Sequence, residues 1–253
     1  ELAGENGLKY LAITDHDILN PPFLKASALK FGLTLFDGIE ISSYIPAAEV
    51  HILGYGLKRT PELINKLEEL KQTRLKRFSA IIQKLNQLGL DIDAAETLSS
   101  IKGTAGRSMA ARALVLKGYC KNISEAFEKY LSRGKPAYIE NQSLSSCEAI
   151  ILIKQSGGIA SLAHPYRIGI SEMELSALIR RFKDYGLDAV ETIYPTHSPQ
   201  DIAFLRRQCD QNKLLPSIGS DFHGGKYRGA QLGEWGGGLT KKELDKLLKL
   251  ISI

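Results

Sequence analysis

The stretch Leu8-Lys9-Tyr10-Leu11-Ala12-Ile13-Thr14-Asp15-His16-Asp17 sets the reading of the whole chain. Its apolar part, Leu8 to Ile13, predicts a buried strand, and Asn20-Pro21-Pro22 stops any further strand. Asp15, His16 and Asp17 therefore gather just past one strand end. Two carboxylates this close are easiest to accommodate with a cation or a charged neighbour between them. The alternative use for the acids is to cap the next helix, leaving His16 at the surface.

Further strand-like runs follow at residues 33–41, 49–55, 158–163, 187–193 and 214–219. Residues 1–7 read as a helix end closing at Gly7, and helical patterns occupy about 21–31, 145–156, 171–185, 198–212 and 240–252. The loop with Pro46, between the Glu40 and His51 strands, is too short for a helix. Repeated βα units with short apolar strands predict a parallel sheet, either a closed barrel or an open doubly wound sheet. Gly236-Gly237-Gly238, after Trp235, predicts a loop near the last strand end.

Residues 58–135 break this rhythm. Thr60-Pro61-Glu62 begins a helix running to Gly89, with apolar residues at Leu63, Leu67, Leu70, Phe78, Ile81, Ile82 and Leu85. Further helices are expected at 107–118 and 124–131. The expected domains are thus an α/β frame in two parts, residues 1–57 and 136–253, interrupted by an all-helical insertion at 58–135. The insertion holds 16 Lys and Arg against 8 Asp and Glu, whereas the rest of the chain holds 17 against 20. A basic segment on a mildly acidic frame suits an anionic partner held over a cation-binding site. Its cluster Lys71, Arg74, Lys76 and Arg77 reads as a solvated helix face, with nucleic-acid contact as the alternative.

All five histidines lie near predicted strands of the α/β frame, and none lies in the insertion. His16 follows the first strand, Glu40 ends the second, His51 lies in the third and His164 ends the fourth. His197 follows the fifth, and Asp221 and His223 close the sixth. In parallel α/β folds the carboxyl ends of the strands share one face, which carries the active site. Asp221 and His223, two apart, would point the same way if extended. Histidine nitrogens with carboxylate oxygens and no thiolate suit zinc, manganese or iron. Glu40 could bridge two cations, and the chemistry implied is hydrolysis of a phosphate ester with metal hydroxide as nucleophile.

With these motifs assembled, the chain resembles the PHP (polymerase and histidinol phosphatase) family. The resemblance rests on Thr14-Asp15-His16-Asp17, Gly38-Ile39-Glu40-Ile41-Ser42, Glu49-Val50-His51-Ile52-Leu53-Gly54-Tyr55, Ala163-His164-Pro165 and Gly219-Ser220-Asp221-Phe222-His223-Gly224. It implies an α/β fold, a distorted (β/α)7 barrel carrying an all-helical insertion, with a site for two or three divalent metal ions. By match, His16 and His223 would hold one metal, Glu40, His51 and His164 a second, and Glu40 with Asp221 a third. Asp15 and Asp17 would orient His16 from behind.

Gly106-Arg107-Ser108-Met109-Ala110-Ala111-Arg112-Ala113-Leu114 and the insertion look like the branch that removes the 3′-phosphate of nucleoside 3′,5′-bisphosphates, some of whose members degrade short RNA from the 5′ end. By this resemblance Arg107 and Lys135 would reach phosphates from the insertion, with Arg167 a third candidate; for each, the alternative is a structural salt bridge. His197 would be a metal neighbour, a phosphate contact or the acid that protonates the leaving group. Two departures stand out. Met109 occupies a position where the branch has histidine. The family also begins with a strand ending in His-x-His, and this chain starts in the helix after it, so a barrel without its first strand and without those ligands is expected.

Cys120, Cys147 and Cys209 form no CxxC pair and are expected to be reduced and structural, which argues against thiol chemistry and a cysteine zinc site. Without a signal-peptide pattern or an apolar run of bilayer length, a cytoplasmic protein with no membrane partner is expected. The expected partner is a nucleotide or short oligonucleotide substrate. The alternatives are a small-metabolite phosphatase of the histidinol phosphatase type and a non-catalytic nucleic-acid-binding or regulatory module.

Overall fold

The computed structural model describes residues 1–46, 48–101, 104–140, 144–223, 232–233 and 238–251. Trp235, Gly236 and Gly237 of the glycine loop lie outside them. In chain order the elements are α1 (Leu2–Glu5), β1 (Tyr10–Ile13), α2 (Phe23–Leu29), β2 (Thr34–Ile45), β3 (Ala48–Tyr55), α3 (Pro61–Gln87), α4 (Ala94–Ser100), α5 (Arg107–Leu116) and α6 (Ile123–Ala126). After a π-helical turn at Phe127–Leu131 come β4 (Leu144–Ser145), α7 (Ser146–Gln155), β5 (Ile159–Leu162), α8 (Glu172–Asp184), β6 (Ala189–Ile193), α9 (Pro199–Asn212), β7 (Leu215–Ile218) and α10 (Lys241–Ile251). The chain divides into two compact units, residues 1–64 with 144–253, and residues 65–143.

The first unit is built on one curled sheet in the order β1-β2-β3-β5-β6-β7, with β4 added beside β2. β1 pairs with β2 in parallel, as do β5 with β6 and β6 with β7. β3 runs antiparallel to both β2 and β5, so the expected all-parallel sheet is a mixed one. The cause is the short hairpin after Ile45: a parallel return needs a crossover of a dozen or more residues, and this connection has no room for one. β2 also runs on to Ile45, past Glu40, which sits mid-strand rather than at a strand end. Among the described residues β1 and β7 do not pair with each other, and the sheet is an open half-barrel.

Its core follows from the apolar strands. Every residue of β5 and β6 is buried, and Ile39, Ile41 and Ile52 are wholly removed from water. Ile150 and Ile153 of α7, Ile179 and Phe182 of α8 and Leu205 of α9 are also buried. Local sequence starts these helices: Ser145 with Glu148, and Ser171 with Glu174, form reciprocal capping boxes, and Ser198 with Asp201 does the same at α9. Gly38 decides how closely β1 and β2 approach, because a Cβ there would stand 2.6 Å from the Ile13 carbonyl oxygen.

The second unit is helical and carries its own core. Phe78, Ile81, Ile82 and Leu85 of α3 pack in one cluster with Met109, Ala110, Ala113 and Leu114 of α5 and with Ala126 and Leu131. The alanine-rich face of α5 suits close helix packing. Met109 is buried in this apolar cluster, so the residue that departs from the family pattern is used for packing here.

We predict that Phe78→Ala destabilises the protein by about 3–5 kcal/mol in urea unfolding, since the ring is fully buried and leaves a cavity. Leu116→Ala, at a side chain 75% exposed, should change stability by less than about 0.5 kcal/mol.

Candidate metal centre

The opening motif is positioned by backbone pairing with β2. Asp17 N–H donates to the Glu40 carbonyl at 2.9 Å and Glu40 N–H donates to the Asp15 carbonyl at 3.0 Å, an isolated parallel bridge that sets His16 beside Glu40. Asp17 is buried, takes the left-handed backbone region at φ 56°, and accepts a hydrogen bond from Ser42 N–H at 2.9 Å through Oδ1. Ser42 Oγ in turn lies 3.3 Å from His16 Nδ1. Asp17 therefore acts on His16 through Ser42, whereas Asp15 is exposed and ties to Glu40 by its backbone. Neither acid caps α2: the residue before that helix is Pro22, with no side-chain cap.

The Glu40 carboxylate is the hub. Oε2 lies 3.4 Å from His16 Nδ1, while Oε1 lies 2.8 Å from His51 Nδ1 and 3.1 Å from His164 Nε2. His51 sits near the start of β3, opposite Ser42, and antiparallel β3 begins at the end of the sheet where its parallel neighbours finish. His51 Nε2 is 3.8 Å from Glu49 Oε1, on the same strand face two residues earlier. Burial alone would push the Glu40 carboxyl up, but the charges of His16 and His51 and hydrogen bonds from His164 and His51 hold it well below the usual range. Burial pulls His51 down, and Glu40 with Glu49 more than reverses this, raising it to about 10.

His16, Glu40 and His51 present ligand atoms that all lie within 4.8 Å of one another. His51 Nδ1 and His164 Nε2 approach to 3.3 Å with the same carboxylate oxygen between them. Two imidazole nitrogens and a carboxylate converging in this way fit a divalent cation, which takes a lone pair from each of them. Manganese, zinc and iron all suit this donor chemistry.

On the neighbouring strand ends, Asp221 Oδ2 accepts from Arg167 Nη1 at 2.8 Å and from the Tyr194 hydroxyl at 2.9 Å. Asp221 takes φ 50°, so the segment to His223 is turned rather than extended. The two side chains still meet, with His223 Nδ1 2.7 Å from the Asp221 carbonyl and 3.3 Å from its Oδ1. The His223 ring lies 6.4 Å from that of His16. His197 donates Nδ1–H to the Thr192 carbonyl at 3.0 Å, and its buried Nε2 has no partner among the described residues. Burial lowers its basicity, and its ring packs against Tyr194, which packs in turn against His164.

Arg107 and Lys135 belong to the helical unit. The Arg107 guanidinium lies 5.8 Å from the Phe127 ring centroid and 5.7 Å from that of Tyr138, which fixes its plane, and Lys135 is exposed in a turn. Sequence reasoning missed four residues: Ser42, Glu49, Tyr194 and Glu191. Glu191 had a legible signal, since it is the one ionisable residue in the strand Ala189-Val190-Glu191-Thr192-Ile193. Burial, with the negative charges of Glu40 and Asp221, pushes it up to about 8, against a hydrogen bond from the His164 backbone.

No protein-family model matches the chain. It is 34% identical over 219 residues to 5′-3′ exoribonuclease Rnm of Escherichia coli, covering 84% of this chain and 74% of that protein. It is 31% identical over 234 residues to the 3′,5′-nucleoside bisphosphate phosphatase of Chromobacterium violaceum, covering 88% of this chain and 80% of that one. The chain belongs to the PHP phosphoesterase family. Two solved structures share its fold at a TM-score of 0.81. An amidohydrolase from C. violaceum, with bound sulfate and no metal, is 30% identical over 88% of this chain and 80% of its own. A protein from Bifidobacterium adolescentis, described provisionally as a metal-dependent phosphoesterase, is 28% identical over 98% and 88%. As a PHP protein the chain is a metal-dependent phosphoesterase. No described helix is long and apolar enough to cross a membrane.

In metal-free protein the raised His51 makes stability fall with alkaline pH. Its protonated form contributes fully below about pH 6.5, where the unfolded chain also holds the proton, and that contribution is lost as pH rises toward 10. Urea unfolding after chelation should show this decline, and His51→Ala should flatten it.

Proposed function

We propose that this enzyme removes the 3′-phosphate of nucleoside 3′,5′-bisphosphates and also shortens small RNA from the 5′ end, using two or three divalent ions drawn from manganese, zinc and iron. The observation that carries this reading is the convergence of His16, His51 and His164 on the buried Glu40 carboxylate, in a chain similar both to a bisphosphate phosphatase and to 5′-3′ exoribonucleases. The sulfate carried by the C. violaceum structure adds support, since sulfate and a phosphoryl group have the same tetrahedral array of anionic oxygens.

In this reading Glu40, His51 and His164 hold one metal, His16 and His223 a second, and Asp221 with Glu40 a third. Bound metals supply the charge that lowers the pKa of water and neutralises phosphoryl oxygens. Asp17, through Ser42, steadies His16, and Glu49 steadies His51 from its far nitrogen. Arg167, held by Asp221 and Tyr194, presents a guanidinium to phosphate beside the centre. Arg107, flanked by two rings, and Lys135 serve as further phosphate contacts. His197 bears its proton on Nδ1 and so offers Nε2 as an acceptor; it protonates a leaving oxygen only after taking up a proton itself.

With adenosine 3′,5′-bisphosphate and manganese, the protein should release inorganic phosphate, followed by a colorimetric assay. His51→Ala and Asp221→Ala should each lower the rate at least about 100-fold, while Lys66→Ala, at a surface pair, should stay within about twofold. Turnover of sugar or amino-alcohol phosphates in place of the nucleotide would refute the substrate class, and equal rates in all three variants would refute the site.

A further inference from the structure

His164 occupies a conformation that an ordinary residue avoids. Its backbone lies at φ 26° and ψ 62°, and Pro165 follows it, which bars the right-handed helical alternative. The position of its ring beside Glu40 therefore depends on whatever holds this turn. Its backbone N–H donates to Glu191 Oε2 at 2.7 Å. Glu191 reaches there from the adjacent strand β6, where the pairing with β7 shifts register between Glu191 and Ile193. Such an irregularity re-aims side chains at a sheet end. The other carboxyl oxygen, Oε1, occupies the space over Gly219, past the end of β7, where a Cβ would stand only 1.9 Å away. Glu191 is 4% exposed, so its carboxyl group is held away from solvent.

We propose that Glu191 is a positioning residue for the metal centre: its carboxyl group, seated on the side-chain-free face of Gly219, clamps the strained His164 backbone and so aims the imidazole at Glu40. This rests on the reading of His164 as a metal ligand. It makes Gly219 part of the same device, since any side chain there displaces the carboxyl that holds His164. Glutamine keeps the planar end group and an acceptor oxygen for the His164 N–H, so it should substitute where alanine should not.

The test is zinc binding by the full chain after metal removal, by competition with a chromogenic chelator, with urea unfolding alongside. Glu191→Ala and Gly219→Ala should each weaken zinc binding about tenfold, and Glu191→Gln should stay within about threefold of the parent. Parental affinity in folded Glu191→Ala or Gly219→Ala would overturn the proposal, as would a Glu191→Gln protein as weak as Glu191→Ala. If Glu191→Ala does not fold, Gly219→Ala and Glu191→Gln decide. His51→Ala separates this idea from the reading beneath it. Zinc binding unchanged in His51→Ala would refute the ligand set itself and the proposal with it. Zinc binding lost in His51→Ala but parental in Glu191→Ala and Gly219→Ala would refute only the role of Glu191.

Discussion

A carboxylate taken out of water needs positive charge or strong donors around it, and the first unit is arranged to meet that need at Glu40. The residue is 5% exposed and mid-strand in the mixed sheet, where an unpaired charge would be severely unfavourable. Three imidazoles from three chain segments approach its two oxygens. The bridge between the Asp15–Asp17 segment and β2, the reversal of β3 and the turn after β5 each deliver one of them. The same convergence fits a divalent cation, so the feature most costly to the fold is also the one most useful to the chemistry.

The cost is visible in the backbone. Among the described residues four non-glycine positions take positive φ, and three of them, Asp17, His164 and Asp221, surround this centre. Each is held by a specific partner: Ser42 N–H on the Asp17 carboxylate, Glu191 on the His164 N–H, and Arg167 with Tyr194 on Asp221. Strain of this kind, about 1–3 kcal/mol per residue, persists only where surroundings over-determine it. Its concentration here fits a site pre-formed by the sheet rather than assembled by the ligand.

The helical unit follows a different logic. Its core is a self-contained apolar cluster, its excess charge is positive, and Arg107 is fixed by flanking aromatic rings. Met109 belongs to that cluster, which separates packing from polar function along α5: one side of the helix is committed to the core and the first residue to a cation.

Much was legible in the amino-acid order because it depends on local rules. Short apolar runs made the strands, Ser-x-x-Glu and Ser-x-x-Asp caps began the helices, and histidines near strands of an α/β frame pointed to the candidate site. Family membership followed from the ordered motifs, and the curated relatives show it. The hydrophobic pattern carries no strand direction; the antiparallel run of β3 follows from the connection at Pro46, too short for a parallel crossover, and is displayed by the tertiary structure. Only it separated the roles of Asp15 and Asp17, which look alike in sequence but differ in burial and partner. Ser42 and Tyr194 were hidden for the same reason, and of Glu191 only the partners were. A hydrogen bond between residues far apart in the chain leaves no local trace, and Glu191 meets His164 and Gly219 only because three consecutive strands, β5, β6 and β7, lie side by side.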